Sequence, residues 1–112
     1  MIHLQAYLVE VRRSTQQTFL NLLMNLENEG SGLPTSRWWN GATNAGSDDG
    51  VWFWEGTSEV VDMEMPGGWD GEEPMEGEGN CAVMEGDNFY LWEAADCATF
   101  TASVICQIDG PL

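Results

Sequence analysis

The chain of 112 residues carries nineteen acidic and only three basic side chains, which gives a formal net charge of −16 at pH 7. A surface this acidic repels phosphate groups, which argues against nucleic-acid binding and disfavours anionic membrane surfaces. No apolar run approaches the roughly 20 residues that a membrane-spanning helix needs, so we expect no membrane insertion. The length predicts a single domain over residues 1–112, and six tryptophans within 43% hydrophobic residues are enough for a core.

The charge is unevenly distributed along the chain. Sixteen of the nineteen acidic residues follow Arg37, and no Lys or Arg occurs after that position. One interpretation is a solvated acidic face. The other is that clustered carboxylates, next to Asn side chains and backbone carbonyls, bind a hard cation such as calcium.

The N-terminal third predicts one strand followed by one helix. The segment 6–11 is short and rich in β-branched and apolar residues, as a strand is. Ser14 and Gln17 have the spacing of a capping box, in which each side chain bonds to the backbone N–H of the other residue. Apolar residues then recur at helical spacing, at Phe19, Leu22, Leu23 and Leu26. We therefore expect an amphipathic helix of about twelve residues whose apolar stripe packs on a sheet.

After residue 37 the apolar residues indicate short strands. Residues 38–43 and 51–54 are predicted strands, and the two-residue period places Trp52 and Trp54 on one face of the second. Residues 55–80 are rich in Gly, Pro and acid and form a predicted long loop, a kind of segment that is often a binding loop. Residues 81–84, 89–92 and 102–106 are predicted as closing strands.

Four short motifs occur along the chain in a distinctive order. They are Trp38-Trp-Asn-Gly41-Ala, Gly50-Val-Trp52-Phe-Trp54-Glu-Gly56, Trp69 with Glu73-Pro74, and Trp92 with Cys97 and Ile105-Cys106. They resemble the "WIGL", "G-x-W-x-W", "EPN" and "WND…C…ICE" segments of C-type lectin-like domains. The resemblance implies an α+β fold with a long acidic loop region, short antiparallel sheets and one retained amphipathic helix, and it implies that the family's first strand and first helix are absent. It also implies that four tryptophans, Trp52, Trp54, Trp69 and Trp92, are buried in the core.

The same resemblance assigns roles to the three cysteines. It implies a disulfide bond between Cys81 and Cys97, which in turn implies an oxidising, extracellular setting. The export signal of such a secreted protein would lie outside this chain. Cys106 resembles the last cysteine of the family, whose partner lies on a first helix that this sequence lacks. We therefore expect an unpaired Cys106 in an N-terminally truncated domain; the alternative is that this protein has dispensed with the bond.

The calcium ligands of sugar-binding relatives are only partly kept. Carried over motif by motif, Glu73 is retained, while Met75 replaces the Asn of "EPN". Gly79 replaces a Glu, although Glu78 is adjacent, and Glu93-Ala94 replaces the Asn-Asp pair. The resemblance therefore implies a degraded ligand site formed by Glu73, Glu78 and Glu93, with Glu73 and Glu93 as calcium ligands.

A second calcium site in the family uses acids in the loop after the "WIGL" strand. Here Asn44, Asp49, Glu76 and Asn80 could supply a partial set of oxygen ligands. Calcium is therefore a candidate cofactor at two places in the acidic half of the chain.

The resemblance implies a non-enzymatic, extracellular recognition module that binds carbohydrate through a degraded calcium and sugar site. The alternative is a calcium-independent module that binds a protein ligand, because methionines in and around the long loop can form an adaptable apolar surface. These residues are Met63, Met65, Met75 and Met84. A single histidine and no lysine leave few groups for catalysis, so we expect no enzymatic activity.

Overall fold

A computed structural model describes residues 5–31 and 36–109 of the chain. The described elements are β1 (Gln5–Leu8), α1 (Ser14–Ser31), β2 (Arg37–Thr43), β3 (Phe53–Trp54), β4 (Cys81–Glu85), a 3₁₀ turn (Gly86–Asn88), β5 (Leu91–Ala95), β6 (Ser103–Val104) and β7 (Cys106–Asp109). The predicted α+β class, with one helix and short antiparallel sheets, is confirmed for these residues.

The strands form one larger sheet and one two-stranded ribbon. In the larger sheet the order is β3-β2-β4-β5 with antiparallel neighbours, and β6 pairs in parallel with the start of β2. In the ribbon, β1 and β7 run antiparallel, so that Leu8 lies opposite Cys106. Val9 then donates its N–H to the carbonyl of Ile105 at 3.0 Å, which continues the contact beyond β1.

Several predicted strand boundaries are wrong for identifiable reasons. The strand predicted at residues 89–92 begins only at Leu91, because Phe89 and Tyr90 have φ values of 56° and 60° and turn the chain after the 3₁₀ segment. The strand predicted at 102–106 is divided at Ile105 into β6 and β7, which pair with different partners. The strand predicted at 6–11 ends at Leu8.

The N-terminus of α1 differs from the predicted capping box. Ser14 donates its hydroxyl to the carbonyl of Pro66 at 2.9 Å and so ties the helix start to the long loop. Gln16 provides the cap instead, because its Oε1 accepts the backbone N–H groups of Arg12 and Arg13 at 2.8 and 3.0 Å. The Gln17 side chain takes no part in this cap and bonds to Trp92 instead.

The face of α1 that packs on the sheet is also not the predicted one. Gln17, Leu20 and Met24 are buried, with 2%, 6% and 0% exposure. The predicted stripe is instead on the outer side, and its exposures are 61% for Phe19, 61% for Leu22, 39% for Leu23 and 65% for Leu26. Periodicity predicted a helix at this place, but the observed helix has 18 residues instead of about twelve, and periodicity selected the wrong one of two apolar faces.

The core is built around Trp92, which is fully buried. Its ring makes edge contacts with Trp54 and Trp69 at centroid distances of 5.7 and 5.5 Å. Its indole N–H donates to the Oε1 of Gln17 at 2.9 Å, and the Nε2 of Gln17 donates in turn to Asn21 at 2.9 Å. The predicted core positions of Trp52, Trp54 and Trp92 are confirmed, while Trp69 is half-buried against the same cluster.

Backbone bonds to Trp92 attach the long loop to the sheet, and a disulfide bond closes the strands beside it. Trp92 donates its backbone N–H to Gly68 at 2.9 Å and accepts that of Asp70 at 3.1 Å. The predicted disulfide bond joins Cys81 to Cys97 and encloses the strands β4 and β5. Cys106 is free and exposed. No helix in the described part of the chain is both long and apolar enough to cross a membrane.

We expect the buried bond between Gln17 and Trp92 to be measurable in a double-mutant cycle. Gln17→Leu and Trp92→Phe each leave a buried polar partner unsatisfied, and Trp92→Phe also removes packing volume. Each should lower the free energy of unfolding by about 1–3 kcal/mol or more. The double variant removes both partners, so its loss should be smaller than the sum by about 1 kcal/mol. Urea unfolding of the four proteins provides the test, and strict additivity would contradict the assigned bond.

Candidate functional site

A cavity of about 590 Å³ lies between the loop that follows β2 and the long loop. This volume falls within the range of about 300–1,000 Å³ that is usual for small-molecule sites. Its lining combines polar and apolar groups, namely Asn44, Asp49, Gly50, Trp52, Met63, Pro74, Met75, Glu76, Gly77, Gly79 and Asn80.

The antiparallel pairing of β2 and β4 brings two of the lining asparagines together. Thr43, the last residue of β2, lies opposite Cys81, the first residue of β4. The carbonyl of Asn80 accepts the hydroxyl of Thr43 at 2.6 Å and the N–H of Asn44 at 3.1 Å. Asn44 and Asn80 are therefore held beside each other by the sheet at the edge of the cavity.

The side chain of Asn44 contains a buried acceptor. Its Oδ1 is inaccessible to solvent and has no hydrogen-bond partner within the described part of the chain. A buried polar atom without a partner costs about 1–3 kcal/mol, so such atoms usually face a bound water, ion or ligand. An amide oxygen is a suitable ligand for a hard cation and a suitable acceptor for a hydroxyl group.

Asp49 is presented by the tight turn that follows. Its Oδ1 accepts the hydroxyl of Ser47 at 2.8 Å and the N–H of Val51 at 3.4 Å. The hydrogen bond from Ser47, followed by that from Val51, lowers the pKa of the Asp49 carboxyl below its ordinary value. Asp49 therefore remains ionised to a lower pH than a free aspartate does.

The sequence-predicted site residues fall into two groups. Asn44, Asp49, Glu76 and Asn80 line the same cavity, whereas Glu73, Glu78 and Glu93 are outside its lining. The Oε1 of Glu73 accepts the N–H groups of Ala94 and Met75 at 2.8 and 3.2 Å, which fixes the turn beside β5. Within residues 5–31 and 36–109, no three acidic, His or Cys side chains are grouped so that they could hold a metal ion.

The largest side chain in the cavity lining was not predicted as part of a site. Trp52 is 6% exposed and belongs to the core as predicted, yet it also forms a wall of the cavity. The two-residue period around Trp52 indicates burial but cannot indicate that the ring also borders a cavity. Met63 and Met75, two of the methionines predicted as a surface for a protein ligand, line the same cavity.

Glu93 lies on β5 within an acidic neighbourhood. Desolvation raises the pKa of its carboxyl above the ordinary value, and the negative charges of Glu85, Glu73, Asp70 and Glu78 raise it further. Ionised Glu93 is therefore less favourable in the folded chain than in the unfolded chain.

This shift predicts a pH-dependent effect of removing the charge. Because the pKa of Glu93 is raised on folding, its ionisation costs stability, and this cost appears as the pH rises through the raised pKa. Glu93→Gln should increase the free energy of unfolding at pH 7, and the gain should vanish below the ordinary pKa of glutamate, about 4.3. Urea unfolding at both pH values measures it. Glu64→Gln, at an exposed position, controls for the general loss of one negative charge; an equal gain in both variants would contradict the prediction.

Comparison with known proteins bears on the fold. No protein-family model matches the sequence, and no match occurs among curated protein sequences. Among solved structures, the C-type lectin CEL-I from Cucumaria echinata superimposes with a TM-score of 0.72 at 17% identity, over 96% of this chain and 71% of that chain. Human lithostathine superimposes with a TM-score of 0.63 at 18% identity, over 92% of this chain and 64% of that chain in one structure. These similarities, together with the predicted motifs and the disulfide bond, show that the chain has the fold of a C-type lectin-like domain.

Proposed function

We propose that this chain is a non-enzymatic recognition module that acts outside the cell and binds carbohydrate at the cavity lined by Asn44 and Asp49. The buried, unpartnered Oδ1 of Asn44 is the observation that carries the proposal. Asn44 lines a concave site of small-molecule size beside other polar side chains, and an ion or hydroxyl group bound there would supply the partner that this oxygen lacks. The Cys81–Cys97 bond supports the extracellular setting.

We propose that calcium is held weakly at this cavity. The candidate ligands are the side-chain oxygens of Asn44, Asp49, Glu76 and Asn80. They supply two carboxylates and two amide oxygens, a donor set of the hard type that calcium prefers. A bound calcium ion would offer open coordination positions to ligand hydroxyl groups. With so few charged ligands, we expect a Kd of about 10⁻⁴–10⁻³ M, the range of extracellular calcium modules.

The sugar site expected from the family motifs is a weaker candidate. Glu73, Glu78 and Glu93 lie outside the cavity lining, and one oxygen of Glu73 already accepts two backbone N–H groups. Ionised Glu93 is disfavoured by its acidic neighbours, a condition that a cation would relieve. We propose that any cation there binds less tightly than at Asn44.

A protein ligand is the second candidate function. Met63 and Met75 border the cavity and are 40% and 41% exposed. Flexible thioether side chains adapt to irregular apolar surfaces, which suits a protein partner that binds without calcium.

Calcium titration by calorimetry, followed by a glycan array with and without chelator, separates the two functions. Heat on calcium addition and a chelator-sensitive glycan signal would support carbohydrate recognition. Absence of both would refute it. A protein ligand that binds equally well in chelator, and is lost in a Met63→Lys, Met75→Lys variant, would establish the second function.

A matched pair of variants tests the assignment of calcium to this cavity. Asp49→Asn removes a carboxylate from the candidate ligand set and should raise the Kd for calcium by about tenfold. Asp87→Asn makes the same change in the exposed 3₁₀ turn beyond the other end of β4 and should leave the Kd within about twofold. An equal change in the calcium Kd of both variants, measured by calorimetry, would mean that the ion binds elsewhere.

A further inference from the structure

The helix α1 is apolar on two opposite faces. At 100° per residue, Phe19, Leu22 and Leu26 lie on the side opposite the buried Leu20 and Met24. The inner pair is 6% and 0% exposed, whereas the outer three are 61%, 61% and 65% exposed. A helix that is apolar on both sides is typical of one that packs between two partners. The sheet supplies only one of them.

The outer face continues into a groove between α1 and the strands β6 and β7. Two adjoining cavities of about 450 and 320 Å³ form this groove and share Leu23 and Ile105 in their linings. Val104, on β6, lines the smaller cavity and is 57% exposed. A contiguous apolar surface of this kind, on a chain that is otherwise acidic, indicates a site where a protein partner binds.

The distribution of charge along α1 indicates what covers it. Residues 14–26 contain no charged side chain. Arg13 precedes this segment, and Glu27 and Glu29 follow it, about 21 Å away along the helix axis. Arg12 and Arg37 form ion pairs with Glu10, Glu59 and Glu85, but Arg13 forms none within the described ranges.

We propose that the outer face of α1 is the interface of a two-fold symmetric homodimer. In an antiparallel pair of helices, the N-terminal end that carries Arg13 in one copy lies beside the C-terminal end that carries Glu27 and Glu29 in the other, and the same arrangement recurs at the second end. The ridge of Phe19, Leu22 and Leu26 then packs against its symmetry mate beside the groove. The arrangement also places the opposite ends of the two helix dipoles next to each other.

A second copy suits this surface better than an unrelated basic partner. The linings of the two cavities contain only two acidic residues, Glu10 and Glu27, and Glu10 is already paired with Arg12. A surface so poor in free acids offers little attraction to a cationic partner. It is, however, a surface on which two copies of a chain of net charge −16 can meet without bringing their acidic loops into the interface.

Sedimentation velocity over a concentration series tests the proposal in a Cys106→Ser background, which excludes a disulfide-linked dimer through the exposed thiol. We expect a monomer–dimer equilibrium. Leu22→Glu should raise the dimer Kd by about thirtyfold or more, because a charge enters the centre of an apolar interface. Val60→Glu makes a similar change at a residue that is 69% exposed on the long loop and should leave the Kd unchanged.

A charge exchange tests the antiparallel orientation. Arg13→Glu alone should weaken the dimer, and adding Glu27→Arg and Glu29→Arg should restore it. Circular dichroism establishes that each variant is folded. Either of two results would overturn the proposal: a monomer at every concentration, or the same Kd in Leu22→Glu and Val60→Glu. A monomer would mean that the apolar face binds a different protein.

Discussion

The hydrogen bond between the Gln17 side chain and the Trp92 indole holds together parts of the molecule that are far apart in sequence. Trp92 is fully buried on β5, contacts Trp54 and Trp69, and through its backbone positions the long loop at Gly68 and Asp70. Its one polar atom requires a buried acceptor, and α1 supplies it. Trp92 therefore contacts the helix, the sheet and the long loop at the same time.

The long loop has to be held against its own charge. Residues 55–80 contain nine acidic side chains and no Lys or Arg, so the segment repels itself. The backbone bonds to Trp92 and the Cys81–Cys97 bond oppose this repulsion from the two sides. At Glu93, desolvation and repulsion from nearby carboxylates together raise the pKa of the carboxyl. A site built on such a loop is suited to a positively charged occupant, because a cation relieves the strain that the loop already carries.

The resemblance of ordered motifs to C-type lectin-like domains implied the fold class, the disulfide bond and the burial of Trp52, Trp54 and Trp92, and the structure has all three. The same resemblance pointed to Asn44, Asp49, Glu76 and Asn80, which line one cavity, although their role as ligands stays a prediction. Periodicity failed on the orientation of α1. Leucine periodicity selected the face with Phe19 and Leu26, but burial was decided by Gln17, whose partner is seventy-five residues away. From one sequence alone, a glutamine within an apolar stripe does not indicate which face of the helix is buried, because its hydrogen-bond partner is not known.

The same contacts link the two surfaces for which we propose partners. From α1, Gln17 bonds to Trp92, Trp92 packs on Trp69, and Trp69 packs on Trp52 at a centroid distance of 4.8 Å. Trp52 forms a wall of the cavity that contains Asn44. A continuous chain of three side-chain contacts therefore joins the buried face of α1 to the cavity wall, so the helix and the candidate site share one close-packed core.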